Sequence, residues 1–72
     1  MTVRSFLKCI TGYENVCVED EHFNVFDSGN ASDVLNGKYV RGLHVVEAYI
    51  GVRNVGARQA STTCIVIIAA RS

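Results

Sequence analysis

The 72-residue chain contains no proline and no tryptophan, and only three cysteines. Cys9, Cys17 and Cys64 are odd in number and show no CxxC spacing, which excludes a small secreted disulfide framework and points to a reducing, cytoplasmic setting. The N-terminal MTVRSFLKCITGYEN has no continuous apolar core and no small-residue cleavage site, so no secretory leader is expected. Charged residues make up 19% and net charge is zero, so a dedicated polyanion binder is not indicated by charge alone. No apolar run approaches the roughly 20 residues a membrane helix needs, so no membrane contact is expected. No catalytic, metal or nucleotide motif stands out, and the scattered Gly37, Gly51 and Gly56 build no phosphate loop.

What is abundant is apolar surface, at 49% of residues. A chain of this size forms a single domain, residues 1–72, and buries only about 60% of its unfolded surface. The most informative stretch is STTCIVIIAA, 61 to 70, because everything from Cys64 to Ala70 is apolar. A strand with one wet face alternates apolar and polar residues; this one does not, so both of its faces must be covered. One small sheet and two helices cover one face, and a second copy of the chain is the simplest cover for the other. Cys64, Ile65, Val66, Ile67 and Ile68 are therefore the expected homo-oligomer interface.

The remaining elements follow from periodicity. Thr2 is a good N-cap, and Val3, Phe6, Leu7 and Ile10 share one helical face, so a helix is expected over 2 to 11 with Gly12 as a left-handed cap. NVCVED, 15 to 20, reads as the first strand and FNVF, 23 to 26, as the second, joined by a turn at Glu21-His22 and ended by Asp27-Ser28-Gly29. ASDVLN, closed by Gly37, reads as a short helix anchored by Val34 and Leu35. The third strand is expected over 43 to 52, a hairpin loop with short flanking strand ends over 53 to 60, and the fourth strand over 61 to 70. The fold class is α+β: an N-terminal helix packed through Phe6, Leu7 and Ile10 on a four-stranded, mostly antiparallel sheet, with a short second helix between strands two and three.

Glu19, Asp20, Glu21 and His22 form the one cluster of ionisable groups suited to a hard cation, and Asp20, Glu21 and His22 are the candidate catalytic residues of a small metal-dependent DNA-nicking protein. Alternation along a strand separates Glu19 and Glu21 from Asp20 and His22, and a solvated hairpin tip is the plainer reading. No cofactor is implied. His44 and Glu47 fall on opposite strand faces and form no dyad. Glu47 interrupts an apolar strand and calls for water or a charge partner, across an interface if one exists. The cysteines lack an activating base and read as apolar fillers.

Charge is unevenly spread. Residues 1–36 hold six acidic against two basic side chains, and residues 37–72 hold five basic against one acidic. Lys38, Arg41, Arg53 and Arg58 are the candidate polyanion-binding strip, with Arg71 and the aromatics Tyr39 and Tyr49 as further candidates for nucleic-acid contact and Tyr39 placed to stack a base.

TVRSFLKCI, NVCVED, FNVFDSGNASDVL and HVVEAYIGV together resemble, over about residues 2 to 52, the layout of very small proteins of Firmicutes genomes, clostridial above all, and of their phages and mobile elements. Some proteins of that kind are anti-CRISPR or other anti-defence factors. The resemblance admits such a role, and the leading expectation is a small cytoplasmic, non-enzymatic, homo-oligomeric binding protein of a phage or mobile element with a bacterial protein as target. A host accessory interaction domain is the further alternative.

Overall fold

The computed structural model describes residues 1–55 and 60–71. Two short helices and four strands follow in the order α1 (Val3–Lys8), β1 (Asn15–Glu19), β2 (Val25–Asn30), α2 (Ala31–Asn36), β3 (Leu43–Val55) and β4 (Ala60–Arg71). The α+β class and the element order are those expected, and α2 occupies the anticipated ASDVLN segment. No helix among the described residues is long and apolar enough to cross a membrane.

Helix α1 starts as its sequence dictates, with Thr2 Oγ1 accepting from the Ser5 amide at 3.1 Å. It ends at Lys8 rather than 11, because the Cys9 amide already turns back to the Phe6 carbonyl. Gly12 is not a left-handed cap. Its lack of a side chain instead lets the loop approach α2, where a Cβ would stand 3.1 Å from that of Ser32. The helix is anchored by Val3 and Leu7, which are buried, while Phe6 and Ile10 are half-buried at the margin.

The sheet order is β2-β1-β4-β3. β2 pairs with β1 and β3 with β4 in antiparallel fashion, but β1 and β4 run parallel, with Val16, Cys17, Val18 and Glu19 beside Ile65, Val66, Ile67 and Ile68. The sheet is thus mixed rather than mostly antiparallel. The physical reason lies in the apolar run of β4: a central strand is covered on both faces, and a parallel neighbour is where such unbroken runs are found.

β2 extends to Asn30, through the Asp27-Ser28-Gly29 expected to break it, because pairing with β1 overrides the turn-forming preference of those residues. Phe23 and Asn24, expected in this strand, belong to the turn before it.

Both helices lie on one sheet face. There Val3, Leu7, Ala31, Val34, Val40 and Leu43 pack with Val16, Val18, Ile67 and Ala69. The opposite face carries its own cluster of Cys17, Cys64, Val66, Ile68 and Val55. Val55, at the far end of β3, reaches that cluster because the long β3–β4 hairpin curls over the helix-free face. Cys64, Val66, Ile67 and Ile68 are consequently buried within the single chain, and Ile65 is half-buried. Their burial needs no second copy, contrary to the premise drawn from the unbroken run.

Candidate functional site: the concave, helix-free sheet face

On β1, Cys17 and Glu19 are two residues apart and project from the same face. Glu19 is a nearly fully buried carboxylate, and burial of a charge demands a partner. Arg53 supplies it from β3: Nε lies 2.7 Å from Glu19 Oε2 and Nη2 lies 3.4 Å from Oε1. Nη2 also donates to the Tyr49 hydroxyl at 3.1 Å, and Nη1 to the Val52 carbonyl at 2.9 Å. Gly51 makes this route open. A Cβ there would stand 3.1 Å from Val66 Cγ2 and 3.5 Å from Arg53 Nη1, so the bare backbone lets the guanidinium lie back towards Tyr49.

The ion pair sets the chemistry around it. Hydrogen bonding to Glu19 raises the Arg53 pKa and keeps the guanidinium charged. The Cys17 thiol donates to Glu19 Oε2 at 3.5 Å, and burial first, then that hydrogen bond, pushes its pKa up to about 12. Burial likewise raises the Cys64 thiol. Both thiols are protonated near neutral pH, and the carboxylate beside Cys17 is already committed to a cation. The group holds a shape; it offers neither a nucleophile nor a free base.

Two open hollows flank this centre. One, of about 600 Å³, is lined by Glu21, Phe23, Val46, Glu47, Tyr49 and Ile68. The other, of about 500 Å³, is lined by Cys17, Glu19, Phe23, Val25, Arg53 and Asn54. Phe23 stands between them. It is 68% exposed and adopts φ 67°, a left-handed conformation that costs a non-glycine residue roughly 1–2 kcal/mol.

The turn that imposes this conformation is organised by Asp20. Its Oδ1 accepts from the His22 and Asn24 amides at 2.8 and 2.9 Å, its Oδ2 accepts from Asn24 Nδ2 at 3.1 Å, and its carbonyl accepts from the Phe23 amide at 3.1 Å. The Asn24 amide foremost, with its side chain and the His22 amide, holds the Asp20 carboxyl below its ordinary range.

Of the candidate catalytic residues, then, Asp20 is occupied as a turn organiser, while Glu21 and His22 are exposed on the same turn. Among the described residues no group of three or more His, Cys, Asp and Glu side chains is arranged to hold a metal. The candidate polyanion residues are placed as follows among the described residues. Lys38 and Arg41 are exposed in the loop after α2, with Lys38 Nζ 5.7 Å from the Tyr39 ring centre. Arg53 is turned into the concave face and paired, and Arg58 lies outside the described residues.

Sequence reasoning missed Phe23 and the Glu19–Arg53 pair, and it placed Tyr49 only among the candidates for nucleic-acid contact. One usable signal was present: Glu19 continues the same-face alternation of Cys17 on an otherwise buried strand, and Arg53 is the one base near the end of β3. No protein-family model, curated protein or solved structure matches the chain.

Proposed function

We propose that the chain is a small non-enzymatic binding protein whose recognition surface is this concave sheet face. The observation that carries the reading is Phe23, an exposed aromatic held in a costly backbone conformation between two hollows. Local strain of this kind persists where it positions a working side chain, and aromatic side chains supply much of the energy of protein interfaces. Val46, Tyr49 and Ile68 offer apolar lining, and Glu21 and Glu47 stand acidic at the same hollow. The ligand that fits is a protein segment presenting an apolar side chain flanked by Lys or Arg. The resemblance to small phage and clostridial proteins favours a bacterial protein as the target, in an anti-defence role.

The test begins with affinity capture from a Firmicutes lysate, followed by calorimetry with the purified captured protein. Phe23→Ala, which leaves the buried core untouched, is expected to weaken binding by about tenfold or more. Unchanged affinity of folded Phe23→Ala would remove this face from the account. Chelator-sensitive nicking of supercoiled plasmid would favour the enzymatic alternative instead.

A further inference from the structure

β3 is an edge strand, and its outer edge is protected only at its start. Thr2 bridges His44 there, and the Val45 amide donates to the Met1 carbonyl at 2.9 Å. An irregularity follows between Val45 and Glu47. Beyond it, residues 46–55 pair with nothing on their outer side among the described residues, a free edge ten residues long. Proteins blunt exposed edges with lysine, proline or an inward charge. Here residues 48–52 read Ala, Tyr, Ile, Gly, Val, with no charge at all, and Ile50 and Val52 are 69% and 59% exposed. The other edge strand, β2, is shorter and carries Asp27.

We infer that this edge pairs antiparallel with the same edge of a second copy, about a two-fold axis through Ile50. The register follows from charge. Residues 46–55 contain one acid, Glu47, and one base, Arg53; Glu47 has no ion-pair partner among the described residues, and Arg53, although it holds Glu19, stays 29% exposed and can face a second carboxylate. Residues 47 and 53 are equidistant from residue 50. The axis at Ile50 therefore places Glu47 of each copy opposite Arg53 of the other, on the concave face.

In that register Ile50 meets Ile50 of the second copy, and Ala48 meets its Val52 twice over, on the convex face. An axis shifted by one residue to either side loses the Glu47–Arg53 pairing. An axis midway between 46 and 48 or between 52 and 54, at Glu47 or Arg53 itself, sets like charges opposite each other, which is unfavourable. The result is an isologous dimer with one continuous eight-stranded sheet. It uses the open edge and, through Glu47 and Arg53, the rim of the concave face, and it moves self-association from the buried 64–68 run to β3.

Sedimentation and oxidative cross-linking test it on the full chain with exposed Cys9 changed to Ser. A dimer mass at micromolar concentration is expected. Ile50→Lys sets two cations at the axis and should raise the dissociation constant by about tenfold or more, with an unchanged far-UV circular dichroism spectrum because Ile50 is exposed. Ile50→Cys should cross-link to itself, since directly opposed strand residues lie within disulfide reach. Ala48→Cys and Val52→Cys should link efficiently only when mixed. A monomer mass at several hundred micromolar overturns the dimer. Self-linking of Val52→Cys with none at Ile50→Cys overturns the register.

Discussion

Arg53 Nε sits 2.7 Å from Glu19 Oε2, joining residues 34 positions apart and two strands, β3 and β1, that β4 separates. A guanidinium can span that gap only because the β3–β4 hairpin curls over the helix-free face. The pair is lopsided, with Glu19 at 2% side-chain exposure and Arg53 at 29%. Removing the cation strands a buried carboxylate, whereas neutralising the carboxylate leaves a cation that water can still reach. Arg53→Met should therefore cost about 2–3 kcal/mol of unfolding free energy, below the roughly 3–5 of a fully buried pair because Arg53 is partly solvated. Glu19→Gln should cost less. Urea denaturation of the two variants checks the order; equal losses would mean the pair contributes no more than its packing.

The helix-bearing face gives a second contrast. Leu7 is buried against the sheet and Arg4 is exposed on the same helix. Leu7→Ala should lose about 2–5 kcal/mol, and Arg4→Ala less than about 0.5 kcal/mol. Thermal melts that ranked the two alike would place the wrong side of α1 against the core.

The thiols should differ sharply in reactivity. Cys9 is exposed, while Cys17 and Cys64 are buried with raised pKa values, that of Cys17 about 12. At pH 8 in native buffer, one equivalent of alkylating reagent should react quickly and two only after denaturation. Mass mapping that found Cys17 among the fast sites would contradict its burial.

Much of this fold was legible from periodicity. Thr2 with Val3 and Leu7 marked α1, ASDVLN marked α2, and the alternation around Val16 and Val18 marked β1. The unbroken run at 64–70 correctly demanded two covered faces, but the cover expected for the second, another copy of the chain, is not what buries it. Cover comes from strand curl, and curl depends on contacts such as Arg53 with Glu19 that no local pattern encodes. Phe23 was hidden for the opposite reason. FNVF has strong strand propensity, and only the side chain of Asp20, gripping the amides of His22 and Asn24, pulls Phe23 out of the strand and into the turn.

That turn carries a pH dependence of definite sign. The Asp20 carboxyl is lowered from 3.8 in the folded chain. A group lowered by folding adds stability above its unfolded pKa, and the contribution disappears as pH falls through the lower folded value. The His22 and Asn24 amide resonances should thus titrate with a midpoint below 3.8 in wild type, and the step should vanish in Asp20→Asn. A midpoint at or above the ordinary carboxylate value would mean Asp20 does not hold the turn.

The central claim is that recognition belongs to the concave face around Phe23. Amide chemical-shift mapping tests it most directly, with the captured target titrated into isotope-labelled chain. The account predicts perturbations concentrated in residues 20–25 and 46–53, with α1 and α2 unmoved. Shifts confined to α1, α2 and the loop bearing Lys38 and Arg41 would contradict it.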